Sequence, residues 1–165
     1  MTGLGRLRGL VKDKEILDLG CGEGLIAKHL IERFGATSAV CVNKIEREIA
    51  EGRRMCAGSP IEFIKADLGN DRAALGKRIK PKYPVVLALS ILHKVADPQA
   101  LLEWTAAHVD DVLAVRLPAP VLKHERSQFR PYPVREWCVD RFDLIAEPAT
   151  CRDEWLGIFR ARRAD

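Results

Sequence analysis

Apolar and polar positions follow two spacings along this chain, and the two spacings alternate. Short apolar runs that predict buried strands occur at 16–19, 38–42, 61–64, 85–89 and 112–117. Between these runs, apolar residues recur every three or four positions, which predicts helices over 25–34, about 45–57, about 70–79 and from Asp97 and Pro98 onward. Strands that alternate with helices predict a doubly wound α/β domain with a mostly parallel sheet.

The last third of the chain departs from this alternation. Pro118 and Pro120 end the fifth strand and open the longest irregular segment, which runs to Arg135. A short helix over 136–141 and two strands over 142–146 and 155–159 are predicted after it. A chain of 165 residues is long enough for one substantial core, so we expect a single domain over 1–165.

Composition narrows the cellular setting. Hydrophobic residues make up 47% of the chain and charged residues 30%, and no apolar run approaches the length of a membrane span. The first 14 residues lack the apolar core of a secretory signal, so we expect a cytoplasmic protein. The five cysteines are odd in number and form no C-x-x-C pair, which predicts reduced thiols and no metal site.

The strand over 16–19 runs directly into three glycines at alternate positions, Gly20, Gly22 and Gly24, and a helix begins at once. Such a loop brings backbone amides to a helix N-terminus, where they can bind ligand acceptors. A dinucleotide fingerprint needs a glycine where Leu25 stands. In addition, Asp18 would repel a pyrophosphate and attract a cationic amino-acid ligand. The loop therefore predicts a cofactor site of a different kind.

The string D-L-G-C-G-E-G over 18–24 resembles the first motif of class I S-adenosylmethionine-dependent methyltransferases, which reads acid-x-Gly-x-Gly-x-Gly. The resemblance covers nearly the whole chain and implies about seven strands, the last of them antiparallel. It also implies that S-adenosylmethionine is the cofactor and that its methionine part lies on Gly20, Gly22 and Gly24 beside Asp18 and Cys21. Further cofactor contacts are implied at Asn43 and Lys44 for the ribose, at Asp67 and Leu68 for the adenine, and at Ser90.

Asn43 departs from the family pattern, which usually has an acid here that accepts hydrogen bonds from both ribose hydroxyls. An amide carbonyl can still accept one such bond, but without the strength that charge adds. Glu46 either replaces the missing acid or only complements the dipole of the following helix. Asp67 likewise has two interpretations, an adenine ligand and a helix-entry cap.

The segment that follows the fourth strand resembles the L-S-x-x-H segment of small-molecule methyltransferases, here Leu89 to His93. His93 either removes a proton from an attacking hydroxyl or packs beneath the loop. The segment contains no Asn-Pro-Pro-aromatic motif and no Pro-Cys pair, which disfavours amino groups of nucleobases and cytosine C5 as acceptors. The expected reaction is methyl transfer to an oxygen, or to another nitrogen or carbon nucleophile.

Two clusters of basic residues accompany the net charge of +4. The first spans 72–82 and is expected to be a solvated helix end, on the face opposite the ligand site, in preference to a nucleic-acid footprint. The second lies in 118–135 and includes Arg126, Arg130 and Tyr132, which are expected to bind an anionic acceptor. The alternative for this segment is a solvated loop.

Little sequence precedes Gly3, so we expect a reduced N-terminal lid and an open site, which a partner chain or a second copy could cover. Such a site would also admit a macromolecular acceptor. Two other functional classes stay open from the sequence. One is a catalytically silent subunit that binds S-adenosylmethionine, and the other is a dinucleotide-dependent oxidoreductase.

Overall fold

The computed structural model describes residues 3–117, 133–148 and 154–162. These residues contain seven strands: β1 (Glu15–Leu19), β2 (Ser38–Asn43), β3 (Ile61–Lys65), β4 (Tyr83–Leu89), β5 (Val109–Leu117), β6 (Phe142–Ala146) and β7 (Trp155–Ala161). The α-helices are α1 (Arg8–Val11), α2 (Leu25–Phe34), α3 (Glu46–Met55), α4 (Arg72–Gly76), α5 (Pro98–Ala107) and α6 (Val134–Arg141). Short 3₁₀ helices lie at Leu4–Leu7 and Leu92–Lys94.

The seven strands form one sheet in the order β3-β2-β1-β4-β5-β7-β6. Strands β1 to β5 pair in parallel, whereas β7 is antiparallel to both β5 and β6. This topology confirms the predicted doubly wound sheet of about seven strands with an antiparallel last strand. The strand order reverses between β1 and β4, and in such sheets ligands bind at the carboxyl ends of the strands that flank the reversal.

Alternating side chains of the strands build one apolar core on each face of the sheet. Leu17 and Leu19 of β1 face the core that also contains Leu75, Leu101 and Trp137, so α4, α5 and α6 cover that face. Ile16 faces the other core, which the N-terminal helices, α2 and α3 cover. Because both faces of the sheet are covered, the central strands consist of continuous apolar runs.

The N-terminal helices are an element that the sequence analysis missed. Leu4, Leu7 and Val11 follow one another at intervals of three and four residues, and all three side chains are buried against the second core. Helix α4 is shorter than the predicted 70–79, because it ends at Gly76. Helix α6 begins at Val134, two residues before the predicted start.

Part of the first basic cluster lies away from the reversal point. Lys80 pairs with Glu15 at the start of β1, and the Lys82 ammonium donates to the carbonyl of Val109 at the start of β5. These contacts place Lys80 and Lys82 at the amino edge of the sheet, as expected for this cluster. Arg72 and Arg78 lie elsewhere, because they donate to the carbonyls of Leu68 and Lys65 at the carboxyl end of β3, so the expectation holds for only part of the cluster. Within the described residues, no helix is long and apolar enough to cross a membrane.

Candidate functional site

A cleft opens at the carboxyl ends of β1, β2, β3 and β4, where the strand order reverses. Six of the predicted cofactor residues line it: Gly20, Gly22, Asn43, Lys44, Asp67 and Leu68. The remaining lining residues of this cleft were not predicted, namely Ile45, Glu48, Ala66, Ile91, Lys94 and Val95. The structure thus brings residues from four segments that are far apart in sequence to one place.

The glycine loop needs its glycines for two different physical reasons. All three have a positive φ, 76° at Gly20, 57° at Gly22 and 73° at Gly24. A Cβ at Gly24 would lie 2.8 Å from the ring of Phe63, so this position is closed by packing. A Cβ at Gly22 would meet no described atom within 4 Å, so the backbone there is open to an incoming ligand. The loop is anchored on β2 because the amides of Gly20 and Cys21 donate to the Val42 carbonyl at 2.9 and 3.2 Å.

Asp18 lies beneath this loop and is almost completely buried, with 2% of its surface exposed. Its Oδ2 has no hydrogen-bond partner among the described residues. Burial raises the pKa of Asp18 from 3.8 to about 7, against a smaller opposing effect of the Arg116 charge. A buried carboxylate with an unused acceptor suits a cationic ligand above it. Cys21 is half-buried in the same loop, and its thiol donates to the Gly22 carbonyl at 3.4 Å.

Asn43 is engaged by the protein itself. Its Oδ1 accepts from the Lys44 amide at 2.9 Å, while its Nδ2 donates to the Gly22 carbonyl at 3.2 Å and to Oε2 of Glu48 at 2.7 Å. The amide therefore fixes the Glu48 carboxylate in the cleft, one turn into α3. Glu46 pairs instead with Lys65 at 3.2 Å and does not line the cleft. An acid is thus present next to Asn43, and the glutamate that lines the cleft is Glu48 and not the predicted Glu46.

Asp67 stabilises a turn and also lines the cleft. Its Oδ1 accepts from the Gly69 amide at 2.8 Å and its Oδ2 from the Asn70 side chain at 3.3 Å, so the carboxylate stabilises the turn that leads to α4. Oδ2 also lies 3.9 Å from the Lys44 ammonium. Asp67 nevertheless lines the cleft, and each carboxylate oxygen can accept a further hydrogen bond.

His93 lies in the 3₁₀ helix Leu92–Lys94 that directly follows β4. The cleft is lined by its neighbours Ile91, Lys94 and Val95, not by His93 itself. The buried Nδ1 has no hydrogen-bond partner within the described ranges, and burial together with the Lys94 charge lowers the pKa of the imidazole. The lowered pKa favours the neutral imidazole, which is the form that accepts a proton, and the catalytic role of His93 stays a prediction.

Ser90 and Arg116 form a second part of the site, at the ends of β4 and β5. Ser90 has a φ of 61°, which is rare for a residue with a Cβ, and its hydroxyl accepts from Nε of Arg116 at 3.0 Å. The sequence analysis missed both Arg116 and Glu48. The only signal for Arg116 is a single charge within the apolar run 112–117. The predicted acceptor ligands Arg126, Arg130 and Tyr132 lie outside the described residues.

Taken together, the cleft offers open backbone at Gly22, carboxylates at Glu48 and Asp67, and apolar walls, and the carboxyl group of Asp18 is buried beneath the glycine loop. Such a site can bind a cationic ligand that carries hydroxyl and amino donors. Across the described ranges no group of three or more His, Cys, Asp or Glu side chains could hold a metal ion.

Known proteins resemble this chain both in sequence and in structure. A family model described as a methyltransferase domain matches residues 16–113, more than half of the chain. The ubiquinone biosynthesis O-methyltransferase of Vibrio vulnificus (strain YJ016) is 27% identical over 96 residues, which are 58% of this chain and 39% of that protein. The match therefore spans less than half the length of that relative.

Two solved structures share the fold along most of the chain. An S-adenosylmethionine-dependent methyltransferase from Mesorhizobium loti has a TM-score of 0.72 at 16% identity, with 94% of this chain and 96% of that chain covered. Magnesium protoporphyrin IX methyltransferase from Synechocystis PCC 6803, solved with bound S-adenosylmethionine, has a TM-score of 0.67 at 20% identity, with 94% and 73% covered. At these identities the likeness concerns the fold.

Proposed function

Because this chain belongs to the class I S-adenosylmethionine-dependent methyltransferase family, we propose that it transfers a methyl group from S-adenosylmethionine to an oxygen nucleophile, or to a nitrogen or carbon, on an acceptor that is anionic. The observation that carries the proposal is the cleft itself. Open backbone at Gly22 lies next to a buried carboxylate with an unused acceptor at Asp18 and to an anchored carboxylate at Glu48.

The cleft fits the parts of this cofactor one by one. Gly20 and Gly22 would lie against the methionine part, and the unpaired Oδ2 of Asp18 would compensate its ammonium through the loop. Glu48, held by Asn43, would accept from the ribose hydroxyls, and Asp67 and Leu68 would contact the adenine. Lys44 and Ser90 flank these groups. The cofactor supplies an activated methyl on a sulfonium, so no covalent catalysis by the protein is required.

The protein's own contribution is then alignment and one proton transfer. The apolar side chains of Ile91 and Val95 limit the access of water to the cleft beside β4. His93, with its lowered pKa, would accept the proton of an acceptor hydroxyl. An oxygen acceptor also agrees with the name of the Vibrio relative, an O-methyltransferase.

Calorimetric titration with S-adenosylmethionine, with its demethylated product S-adenosylhomocysteine and with NAD tests the cofactor. We expect both sulfur compounds to bind and NAD not to bind. Binding of NAD alone would support the oxidoreductase alternative. Transfer of a labelled methyl group to a panel of phenols and hydroxy acids tests the reaction, and cofactor binding without transfer to any acceptor would support a silent subunit.

The Asn43–Glu48 pair bears on this second alternative. The sequence left a silent subunit open because Asn43 replaces an acid and because the catalytic group is unproven. Glu48 weakens the first reason, since Asn43 holds its carboxylate beside the end of β2. An active enzyme is therefore the better supported function. Cytoplasmic location and a partner chain or second copy over the open cleft stay predictions.

A further inference from the structure

Three charged side chains, Asp18, Arg116 and Glu154, lie on one face of the sheet at its carboxyl edge. Asp18 follows Ile16 by two residues, Arg116 follows Ala114 by two and Glu154 precedes Leu156 by two, and these three apolar residues share one core. Alternation along the strands therefore puts the charged side chains on that same face. Arg116 is the cation among these three side chains, and it lies at the end of an otherwise apolar stretch of β5.

A hydrogen bond along one edge of the guanidinium orients the side chain of Arg116. Its Nε donates to the Ser90 hydroxyl at 3.0 Å, and the Ser90 amide donates to the Arg116 carbonyl at 2.9 Å. Ser90 keeps a φ of 61° in this arrangement, a conformation that costs free energy in a residue with a Cβ. The terminal nitrogens point elsewhere, since Nη1 lies 3.9 Å from Oε2 of Glu154, within ion-pair range but beyond a hydrogen bond.

Arg116 does not line the cleft itself but lies beside its β4 wall, through the contact with Ser90. Ile91 follows Ser90 directly, lines the cleft and packs against Gly20, where a Cβ would lie 2.8 Å away. The groups assigned to ribose and adenine, in contrast, come from β2, α3 and the end of β3. If the cofactor occupies that side, the acceptor has to approach from the β4 and β5 side, where Arg116 stands.

We propose that Arg116 anchors the acceptor and that the acceptor carries a carboxylate, which binds the terminal nitrogens of Arg116 in place of Glu154. This inference rests on the proposed function and names the substrate class for it. A planar carboxylate matches the fork of the guanidinium, and Glu154 already presents such a group at ion-pair distance. A phosphate dianion fits less well, because Asp18 and Glu154 would repel its larger charge.

The test uses benzoate as a carboxylate probe, titrated calorimetrically into the protein with and without S-adenosylhomocysteine. The wild type should bind benzoate in preference to inorganic phosphate. R116Q should weaken benzoate binding at least about tenfold, because a hydrogen-bonded charge pair is lost, while binding of S-adenosylhomocysteine stays unchanged. E154Q should strengthen benzoate binding, since it removes the competing carboxylate.

Arg160 provides a matched control, because it is an arginine on β7 that pairs with Asp111 at 3.1 Å near the opposite edge of the sheet. R160Q should leave benzoate binding unchanged. R116K keeps the charge without the fork, so it gives a second measure if R116Q unfolds, and it should also bind benzoate more weakly. Equal benzoate binding by wild type and R116K, or a preference for phosphate, would overturn the inference. If the wild type does not bind S-adenosylhomocysteine, that result would instead count against the proposed cofactor.

Discussion

The hydrogen bond between Asn43 and Glu48 leads to a sharp prediction about cofactor affinity. Glu48→Gln keeps the shape of the side chain but removes the charge that Asn43 holds at 2.7 Å in the cleft. In the proposed complex Glu48 accepts a hydrogen bond from a ribose hydroxyl, and such a bond to a charged group contributes about 1.5–3 kcal/mol to binding. We therefore expect S-adenosylmethionine to bind about 10- to 150-fold more weakly to E48Q than to the wild type, as measured by isothermal titration calorimetry.

Moving the negative charge from residue 48 to residue 43 tests whether Asn43 and Glu48 act together. N43D alone places two carboxylates at the former hydrogen-bond distance, so it should also weaken binding. In the double variant N43D/E48Q the glutamine amide can donate to the new aspartate, and one charge remains at this end of β2. We expect the double variant to bind more tightly than N43D, with incomplete recovery because the bond from Nδ2 to the Gly22 carbonyl is lost.

Glu46→Gln is the matched control for this pair, because Glu46 lies two residues away on α3 and pairs with exposed Lys65. Its cofactor affinity should stay within about twofold of the wild type, as exposed ion pairs contribute little. Wild-type affinity in E48Q, or a double variant no better than N43D alone, would refute the assignment of Glu48 to the cofactor.

Three further predictions concern the loop and its surroundings. Gly24→Ala should destabilise the fold by more than about 1 kcal/mol in urea unfolding, because φ is positive and Phe63 blocks the Cβ. Gly22→Ala has the same backbone strain without the clash, so it should destabilise the fold less than Gly24→Ala and weaken cofactor binding; the reverse order of stability would contradict the geometry. Asp18 has a raised folded pKa, so its contribution to stability is lost as pH rises from about 4 to about 7. Relative to D18N, the free energy of unfolding of the wild type should fall by up to about 4 kcal/mol over this interval. Parallel pH profiles of the two proteins would contradict the burial argument. Finally, H93N should lower kcat by about 10²-fold or more with cofactor affinity unchanged, and an unaltered kcat would exclude His93 as the base.

The cofactor loop could be predicted from the sequence because its signal is local. An apolar strand, three glycines and an amphipathic helix follow one another without a gap, and the conformation that each glycine needs is a property of its own backbone. The same locality explains why most strands and helices were predicted within a few residues. The N-terminal helices were missed because Leu4, Leu7 and Val11 gain their stability from the core that they cover, not from caps or length.

Glu48 and Arg116 could not be predicted in the same way, because their roles depend on contacts distant in sequence. Whether Glu46 or Glu48 faces the cleft depends on how α3 docks, and the orientation of Glu48 depends on an amide at the end of β2. Arg116 acquires its orientation from Ser90, 26 residues earlier in the chain. In the sequence Glu48 looks like an ordinary surface charge, and Arg116 differs from one only as a single charge within an apolar run.

These two side chains also divide the site by charge. The carboxylates of Glu48 on α3 and of Asp67 after β3 line the cleft together with the ammonium group of Lys44, whereas the guanidinium of Arg116 lies at the end of β5. A cationic donor and an anionic acceptor would each be attracted to one side and repelled from the other, so neither ligand could exchange places with its partner. Asp18 lies between the two sides, within the field of Arg116, and its high pKa reflects burial that this single cation does not offset. The protonation of Asp18 can therefore change with the charge of a ligand that binds above the loop.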